Sequence, residues 1–220
     1  MADSRDARSA ILGSIRHALR VPAECDRSAR EAEFAALPRG YKQTSTKSGE
    51  ELLALFTHRL EEYDAGVLRV ARNEITAAVE RLLNQRGRRR IGIPDDLPNA
   101  WLPAGFAFEK AAAFDAHQLD TLDGVLTGCT VAIAETGSIV LQNAAGQGSR
   151  ALSLVPDYHL CIVLDAQIVE TVPECFARLD ATAHLPTTFF SGPSATADIE
   201  MTRIKGVHGP RFLDVLIISD

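Results

Sequence analysis

The stretch of sequence that decides the fold runs from Thr187 to Pro210 and reads TTFFSGPSATADIEMTRIKGVHGP. Its first four residues, Thr187 to Phe190, are β-branched or aromatic and predict a short buried strand. The strand runs directly into Ser-Gly-Pro-Ser, residue types that favour a turn or the start of a helix. We therefore expect an abrupt chain reversal here, the kind of position at which α/β proteins carry binding sites.

The polar residues after this strand predict a site for an anion. Backbone N–H groups and hydroxyls at a strand end can converge on a negative charge, and Arg203 adds a positive one. The Gly-x-x-x-x-Gly-Lys-Ser/Thr spacing of a phosphate loop is absent from the sequence. His208, between Gly206 and Gly209, is a candidate for proton transfer or ligand contact, with a purely structural histidine as the alternative. The predicted ligand-binding residues of this stretch are Ser191, Gly192, Ser194, Thr196, Arg203 and Gly209.

A hairpin is predicted upstream of that stretch. Thr130 to Glu135 and Ser138 to Gln142 are two apolar strands, and the two residues between them have the spacing of a tight turn. Because open α/β sheets place ligands at strand ends, we expect the Glu135 carboxylate to be partly desolvated and to act as a general base or nucleophile. The alternative is a structural carboxylate that accepts hydrogen bonds from its own turn.

The segment Gly146-Gln147-Gly148-Ser149-Arg150 predicts a cradle for a phosphate or carboxylate group. Glycine allows close backbone approach and arginine presents a planar pair of donors, although a plain loop is the alternative. With the hairpin turn, this segment supplies the remaining predicted ligand-binding residues, Thr136, Gly137, Ser138, Gly146, Gly148 and Arg150. We expect the Glu135 to Ser138 turn, the Ser191 to Ser194 turn and the Gly206 to Gly209 loop to meet in one crevice.

Composition narrows the class of protein. The 220 residues are 46% hydrophobic and 24% charged, which is typical of a globular chain, and the net charge of −6 provides no overall attraction to nucleic acid. No window resembles a membrane span or a signal peptide, so we expect a cytoplasmic protein. The four cysteines include no Cys-x-x-Cys pair, so the sequence predicts neither a zinc site nor an iron–sulfur cluster in this chain.

The predicted elements alternate between helices and strands. Residues 4–19 form an amphipathic helix, and residues 21–47 are expected to be an irregular connector, so that residues 1–47 precede the main domain of residues 48–220. Within that domain we expect helices from Ser48, Asn73 and Thr171. The strands are expected at 66–71, 90–93, 106–108, 158–164 and 212–218. This alternation predicts an α/β layered domain around a largely parallel sheet, to which the hairpin adds antiparallel character.

Two blocks resemble the lactate utilization protein C family, also called the LUD domain. They are Thr127 to Leu160, with its Ala-Glu-Thr-Gly-Ser string, and Ser191 to Pro210. The resemblance implies a Rossmann-like sheet with helices on both faces, as in sugar-phosphate isomerases, CoA transferases and 5-formyltetrahydrofolate cyclo-ligase. It also implies a cytoplasmic accessory subunit for oxidation of lactate to pyruvate, which binds a small anionic ligand and works with iron–sulfur subunits that carry the clusters. Two alternatives stay open: a stand-alone acyl, CoA or sugar-phosphate enzyme using Glu135, and a non-catalytic assembly or regulatory protein.

Overall fold

The computed structural model describes residues 4–19, 27–196, 204–206 and 208–219. The chain divides into two compact units, Met1–Tyr41 and Lys42–Asp220. In the first unit, helix α1 spans Ser4–Ala18 and helix α2 spans Arg27–Ala36. The first helix confirms the prediction for residues 4–19.

Helix α2 corrects the expectation that residues 21–47 are irregular. Its sequence, RSAREAEFAA, is rich in alanine, arginine and glutamate, which have high helix propensity, and it lies between Pro22 and Pro38. Only one large apolar side chain, Phe34, occurs in it, so the apolar periodicity that signals a helix is missing from the sequence. The helix propensity of these residues is therefore the sequence feature that favours this helix.

The second unit contains the remaining helices. They are α3 (Gly49–Glu62), α4 (Ile75–Gln85), α5 (Ala116–Asp120), α6 (Arg150–Leu154) and α7 (Val172–Leu179). Single turns of 3-10 helix occur at Arg72–Glu74, Asn99–Trp101, Asp165–Gln167 and Asp180–Thr182. No helix within the described ranges is long and apolar enough to cross a membrane.

Over the described residues the strands form three sheets. They are β1 (Gly66–Ala71), β2 (Arg90–Ile93), β3 (Ala107–Lys110), β4 (Gly124–Thr127), β5 (Val131–Ile133), β6 (Ser138–Gln142), β7 (Tyr158–Leu164), β8 (Ile168–Val169), β9 (Thr187–Phe190), β10 (Ala195–Thr196), β11 (Ile204–Lys205) and β12 (Phe212–Ser219). The parallel sheet has the order β1-β12-β7-β4-β2-β3, and the mixed sheet has the order β8-β5-β6-β9. Strands β10 and β11 pair antiparallel.

The two faces of the parallel sheet bury different layers. On one face, Leu216 of β12 and Leu160 of β7 join the core cluster that contains Val79 and Leu83 of α4. On the other face, alternate residues such as Val215 pack with Phe56 and Leu60 of α3 and with the inner face of the mixed sheet. The outer face of the mixed sheet is covered by Cys175 and Leu179 of α7. The domain is therefore a layered α/β structure with helices on both faces of its main sheet, as predicted.

Capping boxes begin helices α3 and α7. Ser48 precedes α3 and Glu51 returns its carboxylate to the Ser48 amide, with N to Oε2 at 2.9 Å. The same exchange joins Thr171 and Glu174 at the start of α7, also at 2.9 Å. Each box satisfies backbone N–H groups that have no partner inside the helix, so a short sequence pattern is enough to begin the helix. Both helix starts confirm the predictions.

The hairpin lies in a different sheet from the one expected. Strands β5 and β6 do pair antiparallel, from Val131–Val140 to Ile133–Ser138, but they belong to the mixed sheet rather than to the parallel one. Strands β4, β8, β10 and β11 and helix α6 were not predicted. The strand expected at 106–108 begins one residue later. Sequence periodicity identifies an apolar strand but carries no information about which other strand it pairs with.

Candidate functional site

The hairpin turn and the turn after β9 meet through serine hydroxyls. Ser138 Oγ and Ser191 Oγ lie 2.6 Å apart, and Thr136 Oγ1 donates to Ser138 Oγ at 2.8 Å. Pairing between β6 and β9 causes this contact, because Ile139 lies opposite Phe190 and the next residue outward on each strand is one of the two serines. Two segments that are 53 positions apart in the sequence are therefore joined by hydrogen bonds between their hydroxyl groups.

Gly192 allows the turn after β9 to lie against helix α3. Its φ is +83°, and a Cβ built there would lie 2.3 Å from Cβ of Tyr63, closer than any real contact. Any residue with a side chain would have to displace the end of α3 while also adopting a left-handed backbone. The glycine is therefore required for the position of Ser191 beside Ser138.

His208 reaches the same turn from the opposite side. Its backbone N–H donates to Ser194 Oγ at 3.1 Å, and the Ser194 N–H donates to the Pro210 carbonyl at 2.8 Å. A Cβ on Gly209 would lie 3.5 Å from Cβ of Ser194, so these loops are in van der Waals contact. The imidazole itself is on an exposed residue. The structure therefore brings the three predicted loops together.

The turn after β9 and the loop at His208 border an open cavity of about 230 Å³, which we call the serine–histidine groove, and the hairpin turn reaches it only through the hydrogen bond of Ser138 to Ser191. Its lining combines hydroxyl and aromatic side chains, and includes Phe189, Phe190, Ser191, Ser194, His208 and Gly209. Among the lining residues that the structure describes there is no arginine or lysine. The groove lies beside β9 of the mixed sheet and the amino end of β12, not at the carboxyl edge of the parallel sheet from which we predicted it. The loops therefore meet for a different reason: the β6–β9 pairing joins the two serine turns, and hydrogen bonds of Ser194 join the Gly206 to Gly209 loop to them.

Glu135, which we expected to be partly desolvated, lies in a hairpin turn at the surface, and its role as a general base or nucleophile stays a prediction. Its side chain is 40% exposed, and its carboxylate forms an ion pair with Lys42 at 3.4 Å. The physical reason is the sheet to which its strand belongs, since β5 leads into a surface hairpin turn instead of the enclosed edge of the parallel sheet. The backbone N–H of Glu135 donates to the carbonyl of Glu170 at 3.1 Å, which fixes the turn next to a second carboxylate.

Glu170 is the buried carboxylate of this region, and our sequence analysis did not identify it. Its side chain has no solvent exposure and accepts hydrogen bonds from Lys42 Nζ, from Ser45 Oγ at 2.9 Å and from the Thr46 N–H at 2.8 Å. Lys47 Nζ lies 3.9 Å away. We call these residues, with Glu135, the carboxylate cluster. One feature of the sequence could have identified Glu170: it directly follows the apolar pair Ile168-Val169 and directly precedes the capping box at Thr171.

Charge complementarity keeps Glu170 ionised despite its burial. The hydrogen bond from Lys42 lowers the pKa of Glu170 to about 2, against the opposing effect of desolvation. The same contact raises the pKa of Lys42 above its usual value. An ionised carboxylate without solvent is tolerated only when it is paired and hydrogen-bonded, as here. The cluster therefore fastens residues 42–47 to the end of β8 and adjoins the hairpin turn at Glu135.

The predicted cradle at Gly146 to Arg150 lies elsewhere. The Gly146 carbonyl accepts from the Gly128 N–H at 2.8 Å, and the Gly146 N–H donates to Asp96 Oδ1 at 2.9 Å. Gly148 contacts Leu152, whose Cδ2 would lie 2.6 Å from a Cβ on the glycine. This loop lines cavities at the carboxyl ends of β2 and β4, and none of its residues lines the serine–histidine groove.

Thr196 and Arg203 are the two remaining predicted ligand contacts. Thr196 belongs to β10, opposite Ile204 of β11. Arg203, which we predicted to recognise the anion, lies outside the described residues. Its role stays a prediction.

The described residues do not form a metal site. Within the described residues, no group of three or more histidine, cysteine, aspartate or glutamate side chains is arranged to hold a metal ion. The described cysteines are Cys129, Cys161 and Cys175, all buried, and Cys175 packs against the outer face of the mixed sheet, apart from the other two. An iron–sulfur cluster needs several converging thiolates, so these residues do not fit one.

Comparison with known proteins places this layered α/β domain in a class. A family model described as the LUD domain matches residues 47–218, and the chain belongs to that family. This confirms the resemblance found in the sequence.

The chain is also similar to named proteins and to a solved structure. The chain is 42% identical over 187 residues to a Deinococcus radiodurans protein named Lactate utilization protein C, covering 84% of this chain and 87% of that protein. It is 33% identical over 155 residues to a protein of the same name from an Exiguobacterium species, covering 64% and 66% of the two chains. The crystal structure of a DUF162 family protein from Deinococcus radiodurans matches with a TM-score of 0.69 and 36% identity, over 78% of this chain and 99% of that one.

Proposed function

We propose that the protein acts in lactate utilization as a cytoplasmic accessory subunit that binds a small carboxylate, such as lactate or pyruvate, in the serine–histidine groove. The observation that carries the ligand assignment is the meeting of Ser191, Ser194 and His208 around one cavity of about 230 Å³, with Ser138 behind Ser191 as its hydrogen-bond partner. The names of the relatives supply the metabolic setting.

The chemistry of the groove suits a 2-hydroxy or 2-oxo acid. A serine hydroxyl can donate to a carboxylate oxygen, and such a charge-assisted hydrogen bond is about twice as strong as a neutral one. The His208 imidazole can donate to, or accept from, the oxygen on the neighbouring carbon. Phe189 and Phe190 provide apolar surface for the rest of the molecule. Arg203 is proposed as the source of positive charge.

The redox step is proposed to belong to partner subunits with iron–sulfur clusters. The chain's own contribution in this proposal is to bind and present the carboxylate. The competing hypothesis of an acyl-transfer enzyme with a nucleophilic Glu135 receives less support, since that carboxylate is 40% exposed and paired with Lys42.

Ligand binding is tested by thermal shift and calorimetric titration with L-lactate and pyruvate, with propionate as a probe that lacks the second oxygen. We expect L-lactate or pyruvate to raise the Tm more than propionate does, because a ligand that binds only the folded state stabilises it. Ser191→Ala should weaken binding about tenfold, the equivalent of one charge-assisted hydrogen bond, and Ser191→Thr should retain it.

Two outcomes would overturn the proposal. One is an unchanged Tm at millimolar L-lactate and pyruvate, and the other is equal affinity of the alanine variant and wild type. Affinity purification of the chain from its native host tests the partner assignment separately. Recovery of iron–sulfur proteins supports that assignment, and recovery of the chain alone contradicts it.

A further inference from the structure

The carboxyl edge of the parallel sheet contains a topological switch point, away from the serine–histidine groove. In the order β1-β12-β7-β4-β2-β3, strands β2 and β4 are neighbours. After β2 the chain's next parallel strand is β3, on one side of the pair, and after β4 it is β7, on the other side. The connections therefore leave the two strands in opposite directions and open a crevice between their carboxyl ends. Open α/β sheets bind ligands in a crevice of this kind.

A cavity with two lobes lies at this switch point. The lobe beside β2 has a volume of about 340 Å³, and its lining includes Asp95 and Asp96, which follow that strand. The lobe beside β4 has a volume of about 200 Å³, and its lining includes Gly128, which follows β4 directly. Asp96 and Ala145 line both lobes, so the two form one site, which we call the switch-point cavity. None of its lining residues lines the serine–histidine groove.

Hydrogen bonds to one glycine fix the wall between the lobes. The Gly146 N–H donates to Asp96 Oδ1 at 2.9 Å, and the Gly146 carbonyl accepts from the Gly128 N–H at 2.8 Å. The segments that follow β2 and β4 are thus both joined to Gly146, whose φ of +73° favours glycine. The cavity wall is therefore formed before a ligand enters, which reduces the ordering cost of binding.

Trp101 gives the smaller lobe an aromatic surface. The residue is half-buried, and a Cβ built on Gly128 would lie 4.0 Å from its Cζ3, so the indole lies close to the end of β4. Ile162 and Leu164 of β7 add apolar surface to the same lobe. An indole beside aliphatic side chains suits a flat ring, because aromatic rings stack favourably on one another.

The charge of the lining favours a ligand without phosphate or carboxylate groups. Asp95 and Asp96 are its charged residues, and among the lining residues that the structure describes there is no lysine or arginine. Arg150, although close in sequence to Gly148, lines neither lobe. Carboxylates accept hydrogen bonds from hydroxyl and amino groups and repel other anions. A carboxylate beside a strand end is also a known partner of ribose hydroxyls in dinucleotide-binding sheets.

We propose that the switch-point cavity binds an uncharged nucleoside, with its base against Trp101 and its ribose hydroxyls donating to Asp95 and Asp96. The aromatic lobe supplies the surface for the flat base, and the acidic lobe supplies acceptors for the sugar. Asp96, which lines both lobes, lies where base and sugar meet. This site is additional to the groove proposed for the carboxylate and does not depend on that assignment.

The test uses Trp101, the single tryptophan of the chain, as an internal reporter. The full-length chain is titrated with adenosine, guanosine, cytidine and uridine, and both tryptophan fluorescence and binding heat are measured. We expect at least one ribonucleoside to bind and to change the fluorescence. Its 2′,3′-dideoxy form should bind about tenfold more weakly, because it lacks the hydroxyl donors. Its 5′-monophosphate should also bind about tenfold more weakly, because the carboxylates repel the phosphate.

Asp95→Asn and Trp101→Leu separate the two lobes. Asp95 is exposed, so its amide variant should fold normally, weaken ribonucleoside binding about tenfold and reduce the discrimination against the monophosphate. Trp101→Leu should weaken binding about tenfold by calorimetry, whereas Trp101→Phe should retain it, since phenylalanine also stacks. Glu80→Gln is the matched control, because it removes an exposed carboxylate on α4 and should change neither affinity.

Three results would overturn the proposal. They are the absence of binding by all the tested ribonucleosides at millimolar concentration, equal affinity for the ribonucleoside and its monophosphate in wild type, and wild-type affinity in folded Trp101→Leu. Ser191→Ala distinguishes this site from the groove, since it should leave nucleoside affinity unchanged. A chain that binds a nucleoside but neither lactate nor pyruvate supports the switch-point cavity and contradicts the groove assignment.

Discussion

Glu170→Gln gives the sharpest test of the carboxylate cluster. The substitution keeps the side-chain shape but replaces one carboxylate oxygen by an amide NH₂, which faces either Lys42 Nζ or the donors Ser45 and Thr46. At least one hydrogen bond to a charged acceptor is lost, and such a bond contributes about 1.5–3 kcal/mol. Lys42 is 40% exposed, so water can solvate its ammonium group, and we expect a loss of about 2 kcal/mol in the free energy of unfolding.

Glu135→Gln is the matched control, because it removes the other carboxylate that contacts Lys42. That pair is exposed and separated by 3.4 Å, so its loss should cost about 0–1 kcal/mol. For a domain of this size 1 kcal/mol corresponds to about 2–4 °C in Tm, so Glu170→Gln should melt about 4–8 °C below wild type. Differential scanning calorimetry measures both variants. Equal Tm values for the two variants would refute the conclusion that Glu170 is the buried anchor.

The pH dependence provides an independent check on the same residue. The pKa of Glu170 in the folded chain, about 2, is below the ordinary value of about 4.3. A depressed pKa stabilises the fold at pH values above the unfolded pKa, and this contribution is lost as the pH falls from about 4.3 towards 2. The difference in Tm between wild type and Glu170→Gln should therefore be constant from pH 7 to about pH 5.5 and shrink below about pH 4.5. A difference that grows in acid would contradict the assignment.

Asp214→Asn should lower the free energy of unfolding by about 2 kcal/mol in urea titrations, because Asp214 is buried and accepts two hydrogen bonds from the partly exposed Arg86, at 2.6 and 2.9 Å. An unchanged urea midpoint would show that the pair adds nothing. Gly192→Ala should destabilise the domain by about 2–3 kcal/mol, because it combines a left-handed backbone with a clash against Tyr63. Gly105→Ala, at φ +86° with open space around its Cβ, should cost only about 1 kcal/mol. Equal melting temperatures of the two alanine variants would mean that Tyr63 moves aside without cost.

Local signals in the sequence were sufficient for much of the fold. The helix starts at Ser48 and Thr171 were predicted because a capping box satisfies backbone groups within four residues. The long strand β7 was predicted at its observed bounds, since nearly all of its residues are apolar and buried. In these cases the interaction that forms the element and the pattern that reveals it lie in the same short segment.

The candidate site required contacts between distant segments. Ser138 and Ser191 were each predicted, but their 2.6 Å contact depends on the pairing of β6 with β9, which no local pattern specifies. Glu170 was missed because its partner Lys42 is 128 positions away, and neither residue is unusual in its own surroundings. Glu135 was expected at a ligand-binding strand end of the parallel sheet because the sequence does not reveal that its strand belongs to the mixed sheet.

The sequence by itself determined the local elements, the layered α/β class and the family, because helix caps, strand periodicity and motif spacing are properties of short segments. Only the tertiary structure decided which carboxylate is buried and which loops come into contact. Burial and pairing depend on strand order, and strand order is set by the packing energy of the whole core and not by any one segment. Glu135 and Glu170 illustrate the difference: both end short apolar strands of the mixed sheet, and only their places in that sheet make one exposed and the other solvent-free.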